Sequence, residues 1–571
     1  MKLKKLAVAL LTVGAAAVVA SVALRSGALP GTESVEDLGR ALGIWSLFPP
    51  VFAVVLAFLT GNVVLSLFAG VIAGFAMLTA IGGGPLFYGT FHSAVEGIID
   101  TATDWDNTQV LILCVMVGGM EGVIRLSGGF EAAARKLAGR LKSRRKVNLL
   151  CQAFCTLFFF DDYANALISG PVLRPVTDKA GVSREKLSYI VDSTAAPLAG
   201  IAVISSWVAV EVSVIQEGLD AAGVNASAFQ IFFHSIPYCF YCVFALAFIL
   251  LLTVMGREYG PMLEAERRAM RGKPRKPGTK VAEALEHLPS TKAKDKGGRR
   301  IALAFGCIAL LLIFALVMLY VTGRSAAVAE GLVAADAPFR FGDLSTVMGS
   351  ADTIQLVLEA ALLCSIAAIL AGALFLKLFT LYEGVEAWLE GASSLLTTIV
   401  VLVLAWALAG VVEKLGTVYF VVDVLSGGFP KVLIPTLIFV VCCVISFAAG
   451  SYGCMFMVMP IAIPIVAAVS GIGENPAGDP FMLSCVAAVL SGGIFGDHCS
   501  PMTDCTILAA LGAECETMDH VKTQMPYALT VAAASVLCGT LLTSFGVPAW
   551  LALIIGVTAM GGVVIIAGKK P

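Results

Sequence analysis

Two stretches place carboxylates and hydroxyls beside a proline inside runs that are otherwise apolar: Asp192-Ser-Thr-Ala-Ala-Pro197-Leu-Ala-Gly200 and Gly496-Asp-His-Cys-Ser-Pro501-Met-Thr-Asp504. A third polar group, Asp161-Asp162-Tyr-Ala-Asn165, follows three phenylalanines. Proline removes a backbone donor and clashes with the preceding turn, so the first two stretches read as broken helices whose exposed backbone groups need polar partners. A charged carboxylate at the centre of a bilayer costs about 2.5–3.5 kcal/mol on insertion scales, so several of them at helix breaks point to a binding site. Carboxylate, hydroxyl, amide and carbonyl oxygens together suit a hard cation such as Na+. The candidate ion- or substrate-binding residues are therefore Asp161, Asp162, Asn165, Asp192, Ser193, Thr194, Asp497, His498, Ser500, Thr503 and Asp504, with Na+ expected at Asp162, Asn165, Asp192, Asp497 and Asp504. Any one Ser, Thr or Asp of the set also suits a helix cap. His498 reads equally as a proton carrier or as a satisfied hydrogen-bonding group. Arg174 is expected to neutralise a carboxylate of the 147–178 segment or Asp178.

The elements that must hold these groups are set by composition. Of 571 residues 58% are hydrophobic and 14% charged, against about 25% charged in soluble domains. The mean hydropathy is +0.91, and apolar runs of bilayer length recur. That is an all-α polytopic membrane protein. A net charge of −2 gives no basic field for nucleic acid. The 15 cysteines lie mostly in apolar segments and act as small hydrophobes rather than a disulfide framework.

Spans are read at 42–59, 61–80, 109–126, 187–210, 230–255, 301–322, 353–375, 395–412, 481–505, 525–545 and 549–567. With the N-terminal segment they make about 12 full spans. Residues 1–30, basic and then apolar, look like a signal peptide or a retained anchor, and the length of the apolar part favours the anchor. Residues 256–300 hold 13 of the 38 Lys and Arg and read as a basic, solvated cytoplasmic linker. Charge bias puts both termini and the 135–146 loop in the cytoplasm and the acidic loops at 96–106, 211–220 and 474–479 outside. Segments 147–178 and 432–470 must then leave and return on the same side with arms too short to cross. Each is expected to be a re-entrant hairpin, with tips at Asp161–Asn165 and Gly450–Gly453. Gly122-Val-Ile-Arg-Leu-Ser-Gly128 matches Gly410-Val-Val-Glu-Lys-Leu-Gly416, and Pro171-Val-Leu-Arg-Pro175 matches Pro460-Ile-Ala-Ile-Pro464, at offsets of 288 and 289 residues. The expected architecture is thus two inverted-topology repeats, 40–255 and 301–545, each with a hairpin and a broken helix, followed by a C-terminal helix in 546–571.

Phe158-Phe-Phe-Asp-Asp-Tyr-Ala-Asn165, Ser183-Arg-Glu-Lys-Leu-Ser-Tyr-Ile-Val-Asp-Ser-Thr-Ala-Ala-Pro197, Gly496-Asp-His-Cys-Ser-Pro-Met-Thr-Asp-Cys-Thr-Ile-Leu508 and Asp519-His-Val-Lys-Thr-Gln524 resemble the NhaC family of Na+/H+ antiporters. The resemblance covers about residues 40 to 545; Met502 and Cys505 stand where the family pattern has Ile and Thr, and the loss of that hydroxyl puts its ligand role in doubt. It implies a secondary transporter of the cell inner membrane that exchanges Na+ for H+ at a mid-membrane carboxylate site, with an elevator-like hairpin domain and no cofactor beyond the transported ions. Family relatives leave a second reading open, in which sodium is coupled to a small organic anion or an amino acid. Expected partners are Na+, H+, that organic solute in the second reading, the lipid bilayer and, as an open case, a second copy of the chain as homodimer. An enzyme is not expected: no Gly-Lys is followed by Ser or Thr as a P-loop needs, and none of the five histidines precedes Glu as a zinc protease needs. An aspartyl intramembrane protease using Asp162 and Asp497 is the distant alternative.

Overall fold

The computed structural model describes residues 34–60, 62–129, 132–133, 143–159, 162–203, 205–277, 297–329, 333–334, 347, 351, 353–417, 419–420, 430–470, 475–501 and 503–571. The N-terminal segment 1–30, the middle of the 256–300 linker and Asp161 lie outside these. The described regular structure is helical throughout, save one antiparallel bridge between Glu258 and Lys569. In hydrocarbon only intrasegment hydrogen bonding satisfies the backbone of an isolated span, which is why apolar runs of this length become helices. Among the described residues ten helices are long and apolar enough to cross a membrane, and an eleventh is the pair Ala228–Tyr238 and Phe240–Met255, bent by 42°.

The helices that carry the argument are α1 (Arg144–Cys155), α2 (Asp162–Lys179), α3 (Arg184–Ser193), α4 (Ser206–Ala221), α5 (Phe240–Met255), α6 (Gly260–Met270), α7 (Ile434–Ser470), α8 (Pro480–Cys499), α9 (Asp504–Gly512) and α10 (Thr517–Ala534). In both segments the chain turns back on itself, but the arm Gly450–Ser470 is long and apolar enough to cross a membrane, where a short arm was expected. Helices α1 and α2 pack against each other, with Cys155 beside Ser169. Fourteen residues of straight helix would hold them about 21 Å apart, so the chain must turn back between them. In α7 the thiol of Cys454 lies 3.4 Å from the Cys442 carbonyl, where a straight helix would separate them by about 18 Å. The turn is made at Gly450, whose φ of 74° and ψ of 173° suit a residue without Cβ.

The two sequence matches fall at like places. Gly128 and Gly416 both close a helix with positive φ, 62° and 66°. The paired prolines, Pro171/Pro175 and Pro460/Pro464, both lie in the second arm of a hairpin.

Three stretches differ from expectation. Residues 96–106 and 211–220 are not loops: the first is largely the end of helix Leu86–Thr103 and the second is in α4. Their acids hid a helical period; in Leu86–Thr103 Phe87, Phe91, Val95 and Ile99, spaced by four, form one exposed apolar stripe. The early part of the 256–300 linker is not a solvated loop either. There α6 buries Met262, Leu263, Ala265 and Ala269.

Two compact units emerge, and each half of the sequence contributes to both. One comprises residues up to 108 with 211–235 and 397–496; the other comprises 109–210, 236–396 and 497–571. The first holds α7, packed on Phe48–Thr60 and Val63–Ile81, and is cored by Phe52, Leu56 and Ala73. The second holds α1, α2, α3, α5, α6, α9 and α10. In it α2 and α9 meet backbone to backbone, since a Cβ added at Gly170 would lie 2.3 Å from the carbonyl carbon of Gly512.

This contact predicts that Gly170→Ala lowers the melting temperature in detergent by a few degrees, because overpacking costs about 1–3 kcal/mol. Gly410→Ala, which meets open space in its helix, is the control and leaves the temperature unchanged or slightly raised. Equal melting of the two variants contradicts the close α2–α9 approach.

Candidate functional site

Helix α3 starts under a Ser183 cap, whose hydroxyl accepts from the Lys186 N–H, and buries every residue from Glu185 to Ser193. It cannot continue, because Pro197 opens the next short helix, Ala196–Ala199, and Ala195 is bent to φ −89°, ψ −98°. The groups freed by this break are taken up locally. Thr194 donates its hydroxyl to the Ile190 carbonyl at 2.7 Å, and the Thr194 carbonyl accepts from Asn165 Nδ2 at 2.8 Å. Asn165 Oδ1 in turn accepts from Ser169 at 2.8 Å. Asn165 is thus a clamp from α2 onto the break, with both ends of its amide engaged.

The second break lies between α8 and α9. Thr506 and Thr503 donate to the Asp497 carbonyl at 2.6 and 3.2 Å, and Thr503 also reaches the Ser500 carbonyl at 3.0 Å. The hydroxyl of Thr503 therefore serves the backbone. Asp504 is the first residue of α9, and its side chain lies outside the described positions, as does Asp161.

Asp192 is where the two breaks converge. Its Oδ2 accepts from Gln524 Nε2 at 2.8 Å, His520 Nε2 at 2.9 Å and Thr506 Oγ1 at 3.3 Å. Asp192, Thr506, His520 and Gln524 are all fully buried. Its other oxygen, Oδ1, is buried with no hydrogen-bond partner, as are Gln524 Oε1 and His520 Nδ1. An orphaned buried acceptor costs about 1–3 kcal/mol.

His498 is held at both nitrogens: Nε2 lies 2.7 Å from Ser193 Oγ and Nδ1 2.7 Å from the Tyr241 hydroxyl. A neutral imidazole donates at one nitrogen and accepts at the other, and hydroxyls serve either role. The satisfied reading of His498 fits this bridge between α8, α3 and α5.

Thr506, His520, Gln524 and Tyr241 are not among the residues expected from the sequence to form the site. His520 and Gln524 sit four apart on one face of the polar first half of α10, and that spacing was the available signal.

At the other end of α3 lies a belt of ion pairs. Lys186, fully buried, pairs with Glu258 at 2.9 Å beneath the rings of Tyr189 and Tyr527, and Tyr527 donates to Glu258 at 2.5 Å. Arg268 holds Glu185 at 2.6 Å, Arg144 pairs with Glu266, and Glu266 also accepts from the Ser183 N–H at 2.8 Å. Arg174 pairs with Glu514 rather than with Asp178 or a hairpin carboxylate, because Arg184 takes Asp178 at 2.8 Å. Burial raises the Asp178 carboxyl above its usual range, against the pull of that guanidinium. The hydrogen bond to Asp519 at 2.6 Å raises the exposed Lys276 ammonium. Among the described residues no three His, Cys, Asp or Glu side chains group so as to hold a metal ion.

The sequence pattern of the Na+/H+ antiporter family matches residues 198–545, which take in Asp497, Thr506, His520 and Gln524. The chain belongs to the Na+/H+ antiporter family. A relative from Haemophilus influenzae, described as an uncharacterized protein, is 30% identical over 503 residues, 88% of this chain and 91% of its own length. The crystal structure of the Alcanivorax borkumensis YdaH transporter, noted for an unusual topology, shares the fold with a TM-score of 0.52 at 16% identity, over 81% of this chain and 90% of that one. This antiporter-family chain is an integral membrane transporter and not an enzyme, and its family implies Na+ and H+ as the transported ions.

The His498 bridge yields a stability prediction. Tyr241→Phe and Ser193→Ala each strip one ring nitrogen of its partner, so each costs about 1–3 kcal/mol and lowers the melting temperature. Because both act through one imidazole, the double variant departs from the sum of the two. Strict additivity in a double-mutant cycle argues that the two hydroxyls do not share His498.

Proposed function

We propose that this chain is an NhaC-type antiporter that exchanges Na+ for H+ across the cell inner membrane, with both termini cytoplasmic and Asp192 at the centre of a mid-membrane site. The observation that carries the reading is the half-satisfied carboxylate. Three uncharged-capable donors fix Oδ2, and Oδ1 is left buried without a partner. A proton on Asp192 would satisfy Oδ1 by making it a donor. A sodium ion would satisfy it as a ligand and draw further oxygens from Gln524 Oε1 and from Asp162 and Asp497. The two occupants need the same atoms, so one excludes the other, which is the condition for exchange rather than co-transport.

In this reading the hairpins of α1–α2 and α7 belong to two inverted repeats that move relative to a fixed scaffold, exposing the site alternately to each side. The clamp at Asn165 and the threonines at 503 and 506 keep the broken helices in register while that happens. They are positioning groups and not the primary cation ligands.

The test is cation-dependent proton movement in proteoliposomes. Raising pH deprotonates the shared carboxylate, so the apparent sodium requirement falls until competing protons are gone. Asp192→Asn keeps the size and removes the charge that offsets cation dehydration, and exchange drops at least tenfold, about 1.4 kcal/mol. Asp162→Asn and Asp497→Asn are expected to collapse exchange as well. Full exchange in Asp192→Asn at equal membrane abundance moves the site elsewhere, and uptake that needs an added organic acid or amino acid favours the solute-coupled reading.

A further inference from the structure

Glu211 sits in the middle of α4 among Val208, Val210, Val212, Val214 and Ile215. It is fully buried, and neither carboxylate oxygen has a hydrogen-bond partner. Its treatment differs from that of the other deeply buried carboxylates. Glu185 has Arg268, Glu258 has Lys186 and Tyr527, Glu266 has Arg144 and the Ser183 N–H, and Asp192 has three donors on one oxygen. Among the described residues Glu211 is the one fully buried carboxylate with both oxygens unpartnered.

The surroundings supply no compensating charge. About two turns on, Gly218 packs against the Met459 carbonyl and the Ile463 side chain of α7, an apolar face. On its own helix Glu217 and Asp220 act on one another, and Glu413, near the end of helix Leu396–Lys414, also acts on Glu217. Among the described residues none of these charged groups acts on Glu211. An ionised carboxylate with neither water nor partner is far more costly than its neutral acid. A sequence that needed only packing here would carry a valine or leucine, as the neighbouring positions do.

We propose that Glu211 is a second proton-binding site of the transporter, occupied by a proton in the conformation described here and releasing it when a conformational change brings water to α4. The release is a simple ionisation in which the O–H bond breaks, water takes the proton and the carboxylate keeps the electron pair. By linkage, a proton held more tightly in one conformation stabilises that conformation, so protonation of Glu211 biases the transport cycle toward the state seen here. The transport arm of this inference rests on the Na+/H+ exchange reading; the protonation itself does not.

Two measurements on full-length protein in lipid vesicles separate these. Infrared difference spectroscopy across a pH titration is expected to show a protonated carboxyl C=O band at neutral pH in the wild type, absent in Glu211→Gln and retained in Asp192→Asn. Reversal-potential measurements under set Na+ and H+ gradients are expected to show the proton-to-sodium ratio of Glu211→Gln lowered by one proton per cycle, with Glu211→Asp restoring it. A band that persists in Glu211→Gln, or no band in the wild type, overturns the proposal. A ratio unchanged in Glu211→Gln overturns its place in the cycle. Should the wild type move no protons with sodium, the exchange reading fails and the infrared arm alone decides whether Glu211 holds a proton. Should Glu211→Gln fail to insert, the wild-type titration and Glu211→Asp, whose shorter side chain shifts the band, make the same decision.

Discussion

A carboxylate buried in a bilayer-spanning protein loses its water and must recover that solvation from protein groups, and Asp192 recovers only half of it. The rest of the second unit is arranged around that fact. The α3 helix is broken one residue beyond Asp192, so that the break and the carboxylate share one polar pocket. The donors that meet Oδ2 come from α9 and α10, more than 300 residues along the chain. Folding them onto α3 requires the close α2–α9 approach at Gly170 and Gly512, where any side chain would push the breaks apart.

The two helix breaks are stabilised by different means with one result. At the α3 break a side-chain amide, Asn165, crosses from a neighbouring helix to the freed Thr194 carbonyl. At the α8–α9 break the chain serves itself, with Thr503 and Thr506 reaching back to Asp497 and Ser500. In both cases hydroxyls and amides consume the backbone groups that Pro197 and Pro501 leave exposed, so the carboxylates are not needed as caps. A residue type that appears several times near a break thus divides between structure and chemistry according to what the backbone still lacks.

That division was beyond the reach of the sequence, whereas the breaks themselves were legible. Proline and glycine beside polar residues in apolar runs mark interruptions regardless of tertiary context, so the turns near Asp162 and at Gly450 and the interruption at Pro197 could be placed from spacing alone. The partner of each freed carbonyl depends on which helix packs where, and no spacing rule links Asn165 to Thr194 or His520 to Asp192. Charge misled where it was local. Acids at 211–220 suggested an external loop, yet Val214, Ile215 and Leu219 keep the helical period that buries α4. Basic residues after 256 suggested a solvated linker, yet α6 interleaves Arg267 and Arg268 with a buried apolar face. The pairing of Arg174 with Glu514 instead of nearby Asp178 has the same origin: Arg184 already occupies that aspartate.

On helix α3 the buried Lys186 and the buried Asp192 lie six residues apart, and the protein treats them oppositely. Lys186 is closed in by a full carboxylate, a phenol and two ring faces, an arrangement whose disruption leaves an uncompensated buried charge and costs about 3–5 kcal/mol. Such a pair holds the helix end fixed. Had Asp192 been given an arginine as Glu185 has, every cycle of occupancy would have to break a pair of that strength. Gln524 and Thr506 instead offer neutral hydrogen bonds of about 0.5–1.5 kcal/mol each, and His520 keeps its Nε2 donor in place whether its ring is neutral or charged. The donors orient the carboxylate without saturating it. A permanent charge pair at one end of α3 and an incomplete set of weak partners at the other therefore leave the helix fixed at Lys186 and still able to take a further partner at Asp192, which is what the exchange proposed above requires.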